Sequence, residues 1–202
     1  MIKYVPEMTS VVMEEIPDRV TLAVDISNCR GNCIGCHSPF LKEDVGEELT
    51  PGVIDRLADE NFGIDCFLFL GEGRDPERLL ELAAHVRALG LAPALYSGRR
   101  EVDGIFWEAF DYIKVGPYIP ENGPLNNPST NQRLYRVLGA EEPAPEGAEF
   151  RLRASGRRFV DITPRFRTSI PKNAWPAASA WKSARPARRA SARNSARRTA
   201  PR

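Results

Sequence analysis

The chain has 202 residues, 42% of them hydrophobic and 27% charged, which fits one ordinary globular domain and excludes collagen-like and wholly disordered classes. Apolar stretches such as Cys66 to Leu70 fall far short of the roughly 20 residues that cross a bilayer, so no membrane-spanning helix is expected. The net charge of +1 conceals a division: residues 168–202 carry nine Lys or Arg and no Asp or Glu, leaving 19 basic against 27 acidic residues in 1–167.

Residues 1–10 include Lys3, Pro6 and Glu7 and lack an apolar signal core, so a cytoplasmic protein is expected. Residues 9–15 have weak strand character. Arg19 to Ser27 is β-branched and aliphatic without a breaker and predicts a first strand. Thr50-Pro51 supplies a helix cap and a first-turn proline, and Val53, Ile54, Leu57 and Ala58 recur at helical spacing, predicting a helix to about Asn61. Cys66 to Leu70 is apolar at every position, as in a strand buried on both faces of a parallel sheet, and Gly71 and Gly73 stop it. Asp75-Pro76 repeats the cap signal. Leu79, Leu82, Ala83, Val86 and Leu89 then mark one face of a helix ended by Gly90.

Pro93 to Ser97 predicts a third strand, Ile105 to Phe110 a third helix and Asp111 to Val115 a fourth strand. The alternation implies an α/β fold, a parallel sheet covered by helices. A Gly/Pro/Asn-rich loop then runs to Asn131, and Phe150 to Arg153 and Arg157 to Ile162 flank Ser155-Gly156 as an edge hairpin. In 168–202, Ala, Arg, Ser and Pro recur without period, and the large apolar residues are Ile170, Trp175 and Trp181. Such a segment is expected to be a disordered basic extension, or a non-native end produced by a shifted reading frame. A nucleic-acid partner is the less favoured reading of its charge.

Three of the four cysteines fall within eight residues, Cys29, Cys33 and Cys36, spaced C-x3-C-x2-C. Three sulfurs cannot pair among themselves, and a cytosolic setting disfavours disulfides, which points to a metal. Thiolates suit zinc or an iron-sulfur cluster. Structural zinc takes four protein ligands. His37 adjoins Cys36 too closely to share one tetrahedral ion without strain, and no second pair of ligands is visible. In a four-iron cluster three cysteines leave one iron open for another ligand. Cys66, inside an apolar run, is expected to be core.

The loop of residues 29–36, directly after a first strand, resembles the cluster loop of radical S-adenosylmethionine (SAM) enzymes. The resemblance implies a partial, open parallel β/α barrel over 1–167, with 168–202 as the separate basic tail. It implies a 4Fe-4S cluster held by Cys29, Cys33 and Cys36, with SAM bound through its amino and carboxylate groups at the open iron. Cleavage of the sulfonium to a 5′-deoxyadenosyl radical is then the cofactor's chemistry, and the protein orients and shields it. Gly71-Glu72-Gly73 stands where the family has Gly-Gly-Glu or Gly-Gly-Asp against the methionine end of SAM, here with Glu72 between the glycines. Gly35 and His37, flanking Cys36, are carried over as contacts to the adenine or methionine part.

Two further segments, Tyr96-Ser97-Gly98-Arg99 and Asp111 to Tyr118 followed by Asn131-Gln132-Arg133, resemble the activating proteins of anaerobic ribonucleoside-triphosphate reductase. Similarity then spans most of 16–137. It implies an activase that forms a glycyl radical on that reductase, with an electron donor such as flavodoxin or ferredoxin. Asn131, Gln132 and Arg133 either cap backbone groups, hold SAM or dock the reductase; no catalytic residue is assigned. The alternatives are activation of another glycyl-radical enzyme such as a formate-lyase, radical chemistry on a small molecule, or a non-catalytic zinc or iron-sulfur module with a nucleic-acid-binding tail.

Overall fold

A computed structural model describes residues 1–139, 142–143, 150–152 and 157–163. The Ser155-Gly156 turn and the 168–202 tail lie outside the described residues. In chain order the elements are β1 (Lys3–Tyr4), β2 (Ser10–Val12), β3 (Thr21–Asp25), β4 (Glu47–Glu48), α1 (Pro51–Glu60), β5 (Cys66–Leu70) and α2 (Pro76–Ala88). They continue with β6 (Ala92–Tyr96), α3 (Phe106–Ala109), β7 (Tyr112–Val115), β8 (Arg133–Leu138), β9 (Phe150–Leu152) and β10 (Arg158–Asp161).

Among the described residues, eight strands form one sheet in the order β2-β3-β5-β6-β7-β8-β10-β9. The centre, β3-β5-β6-β7, is parallel, with the register Asp25↔Leu70, Leu70↔Tyr96 and Tyr96↔Lys114 at its carboxyl end. The flanks are antiparallel: β2 on β3, β8 on β7, β10 on β8 and β9 on β10. The sheet is therefore mixed rather than wholly parallel. The reason is that β7 and β8 are joined by a loop without a long crossover helix, and a helical crossover is what parallel neighbours need.

Both helix starts form as their caps dictate. Thr50 Oγ1 accepts from the Val53 N–H at 3.3 Å, and Asp75 Oδ1 accepts from the Arg78 N–H at 3.1 Å. The helices bury one stripe each on a single face of the sheet. Ile54 and Leu57 of α1, Leu79, Leu82, Ala83 and Val86 of α2, and Phe106 and Trp107 of α3 meet Val24, Phe67, Phe69, Leu95 and Ile113. The opposite face carries Ala23, Cys66, Leu68, Ala94, Tyr96 and Tyr112, against Ile16 and Leu134. Alternation along β5 thus sends Phe67 and Phe69 one way and Cys66 and Leu68 the other, which is why the run is apolar throughout. Cys66 is fully buried, as its sequence setting predicts.

Candidate functional site

The carboxyl ends of the four parallel strands lie side by side, and each feeds a segment with unusual backbone or charge. After β3 come Ser27, Asn28 (φ 57°) and the cysteine loop. After β5 comes Gly71-Glu72-Gly73, after β6 Ser97-Gly98-Arg99, and after β7 Gly116-Pro117. Turns at this end of parallel strands are where α/β folds bind ligands.

The cysteine loop is tied down by backbone contacts rather than by its own packing. The Cys29 N–H donates to the Leu41 carbonyl at 2.8 Å, the Asn32 N–H to the Gly98 carbonyl at 3.1 Å and the Ile34 N–H to the Tyr118 carbonyl at 2.9 Å. The loop is thereby fastened to the ends of β6 and β7. Contact with β6 is possible only because two glycines face each other. A β-carbon on Gly98 would stand 2.9 Å from the Gly31 α-carbon and 3.0 Å from Cys33 Sγ.

Two of the three sulfurs receive backbone donors. The Tyr118 N–H donates to Cys33 Sγ at 3.2 Å and the Gly31 N–H to Cys29 Sγ at 3.4 Å. Burial pushes the Cys29 thiol up from its ordinary range, the Gly31 N–H opposes that shift, and the neighbouring thiols Cys33 and Cys36 add to it. The three sulfurs therefore share one electrostatic neighbourhood, and all three cysteines are half-buried. Among the described residues, no three His, Cys, Asp or Glu side chains are gathered tightly enough to hold a single metal ion. An iron-sulfur cube takes each thiolate on a different iron, and backbone N–H donors to sulfur are a known means of tuning it. The donor set and its N–H groups fit such a cluster, with Cys29, Cys33 and Cys36 as the residues that would hold it.

Gly35 (φ 65°) is exposed at the loop's outer side. His37 is also exposed, its ring 6.0 Å from that of Tyr118. Gly71 and Gly73 are buried against β3. A β-carbon on Gly71, whose φ is 129°, would meet the Ile26 carbonyl oxygen at 3.1 Å, so the turn needs glycine there. Glu72 is buried, and both of its carboxylate oxygens are taken, by Ser97 Oγ and by Arg99 Nη1. Its carboxylate is thus committed to the turn after β6.

Asn131 and Gln132 brace the turn after β7. Asn131 Nδ2 donates to the Pro117 carbonyl at 2.8 Å, and Gln132 Nε2 to that of Gly116 at 3.4 Å. Arg133 Nη1 donates to the Thr130 and Gln132 carbonyls at 2.8 and 2.7 Å. These contacts are of the backbone-capping kind, and they fix the segment that supplies the Tyr118 N–H to Cys33.

Sequence reasoning did not single out Asp25 and Lys114. They lie in one cross-strand row with Leu70 and Tyr96, on the face away from the helices. Lys114 is buried, with its ammonium 5.3 Å from the Tyr96 ring centroid. Burial pulls its pKa below the usual lysine range, while Cys33, Glu15 and Cys29 act the other way. The signal for it was a lone cation at an inward position of a buried strand. Asp25 is half-buried, and burial pushes its carboxyl up to about 6.

No family model matches the chain, and neither the curated proteins nor the solved structures yield a match to it.

Proposed function

We propose that this protein is a radical SAM activase that generates a glycyl radical on anaerobic ribonucleoside-triphosphate reductase, and that its sheet is the open, partial barrel of that class. The observation that carries this reading is the placement of the three-cysteine loop. It sits at the carboxyl end of the parallel strands, pinned to the turns after β6 and β7, with backbone N–H groups directed at Cys29 and Cys33. Among the described residues the helices cover one face of the sheet, an arrangement compatible with an open barrel.

A bound cluster, reduced by a flavodoxin or ferredoxin, would supply the electron that cleaves SAM into methionine and a hydrogen-abstracting deoxyadenosyl group. The chain's own residues supply position and shelter. Gly31 and Gly98 let the cysteine loop close onto β6. Asn131 and Gln132 hold the Gly116-Pro117 turn, which in turn holds Tyr118 against Cys33. Gly71 keeps the turn after β5 close to the end of β3, leaving no side chain between them. A macromolecular substrate must reach the loop from solvent, and Asn32, Ile34 and Gly35 are exposed on its outer side.

The test is anaerobic reconstitution followed by iron analysis, SAM turnover and electron paramagnetic resonance. About four irons and four sulfides per chain, deoxyadenosine formation, and a glycyl signal when the matching reductase is added are the expected results. Colourless protein that leaves SAM intact would reject the radical SAM reading. An intact cluster with SAM turnover but no glycyl signal would reject the reductase as partner.

A further inference from the structure

Glu72 and Arg99 are 27 positions apart, yet the pairing of β5 with β6 sets the turns that follow these strands next to each other. Arg99 Nη1 donates to Glu72 Oε2 at 2.9 Å, Ser97 Oγ donates to Glu72 Oε1, and the Arg99 N–H donates to Ser97 Oγ at 3.0 Å. The Glu72 side chain is 5% exposed and that of Arg99 29%. A buried carboxylate is thus fully occupied, while the guanidinium it holds reaches outward. Guanidinium carries five N–H donors. Glu72 takes one of them, and among the described residues no other group accepts from the Arg99 side chain.

Arg99 lines a cavity of about 560 Å³ together with Asn32 and Ile34 of the cysteine loop, Arg100, Glu101, Pro117 and Ile119. Its neighbour Gly98 is the residue that touches Gly31 and Cys33 Sγ, so the cavity adjoins the sulfur site. The walls divide by chemistry: aliphatic surface from Ile34, Pro117 and Ile119, and charged groups from Arg99, Arg100 and Glu101, two cations against one carboxylate. Such a cavity fits a ligand with an apolar body and one anionic end. A planar fork with free donors matches a carboxylate in bidentate geometry, and a guanidinium already held by a buried partner loses little freedom on binding.

We propose that Arg99 is the carboxylate-binding residue of this cavity and that Glu72 is a positioning residue, which aims Arg99 and does not itself meet the ligand. The proposal rests on the function above only for the source of the carboxylate. That source is either the α-carboxylate of SAM or an acidic residue of the protein substrate. The role of Glu72 differs from the one implied by the Gly71-Glu72-Gly73 resemblance, in which this turn contacts SAM.

The arginine site can be read without any cofactor. In the full-length, isotope-labelled protein, the Arg99 Nε–H resonance should move on titration with butyrate and stay still with butyramide. No movement with butyrate would overturn the proposal, whatever the fate of the radical SAM reading. Equilibrium binding to the reconstituted protein then identifies the source. Arg99→Met should weaken SAM by about ten- to a hundredfold and leave decarboxylated SAM unchanged if the cofactor supplies the carboxylate. It should instead weaken the reductase alone if the partner supplies it. Unchanged affinity in both arms would overturn the proposal. Glu72→Gln should reproduce part of the loss in the same arm, and Arg99→Lys should recover less than the wild-type fork. Selectivity for the carboxylate that is undiminished by Glu72→Gln in folded protein would overturn the positioning role.

Discussion

Gly98 faces Gly31 so closely that neither position has room for a side chain: the β-carbon of one would lie 2.9 Å, and that of the other 3.1 Å, from the opposing α-carbon. Neither glycine has a positive φ, so the requirement is steric and not conformational. Gly98→Ala must therefore push the cysteine loop off β6, breaking the Asn32 to Gly98 hydrogen bond and displacing Cys33 Sγ. The variant should fold with a loss of about 1–3 kcal/mol, the usual cost of overpacking, but retain less than half of the wild-type iron after reconstitution. Wild-type iron content in the purified variant would show that the glycine contact does not set the loop.

The two kinds of cysteine should separate cleanly. Cys33 is half-buried and receives the Tyr118 N–H, whereas the Cys66 thiol is pushed up to about 12, chiefly by burial. The thiolate is the metal ligand, and Cys66 is fully buried in an apolar cluster of the sheet, apart from the loop that carries the other three cysteines, so it is unsuited to that role. Cys33→Ser should abolish the absorption of the reconstituted cluster. Cys66→Ala should keep full iron and cost about 1–2 kcal/mol in chemical denaturation, as expected for removing a buried side chain the size of a sulfur atom. Full iron in Cys33→Ser would refute the ligand assignment.

Much of the central sheet was legible because its signals are local. Thr50-Pro51 and Asp75-Pro76 announce α1 and α2 within a few residues, and the glycines after β5 end that strand where expected. The antiparallel flank was less legible. β8 reads Arg-Leu-Tyr-Arg-Val-Leu, and its two arginines resemble loop polarity until Arg136 meets Glu142 and Arg133 approaches Asp161 at 3.7 Å. Glu142 follows Arg136 by six residues, but Asp161 belongs to β10, which lies outside any short window around β8. β1 and β4 are two residues each and exist through the pairing Lys3↔Glu48, which leaves no periodicity to detect. In the site, the cysteine spacing marked the loop. The commitment of Glu72 to Ser97 and Arg99 was hidden because it depends on which strands are neighbours.

Asp25 should make stability depend on pH in a direction opposite to that of a salt-bridged carboxylate. Burial raises its pKa from 3.8 in the reference state to about 6 in the folded protein, and desolvation is the whole of the cause. Below pH about 3 the group is neutral both folded and unfolded, and its burial costs nothing extra. As pH rises towards 6 the unfolded chain ionises freely while the folded one resists, so stability falls across that window and levels off above it. Asp25→Asn removes the ionisation while keeping the shape. It should stabilise the cluster-free protein by roughly 1–3 kcal/mol at pH 7, the upper figure being the full shift converted to free energy. The gain should shrink to about half a kcal/mol near pH 4 and vanish towards pH 3, where both side chains are neutral. Urea denaturation of the two proteins at pH 4, 5, 6 and 7 provides the check, and a difference that stays constant across the series would show that Asp25 is not the titrating group.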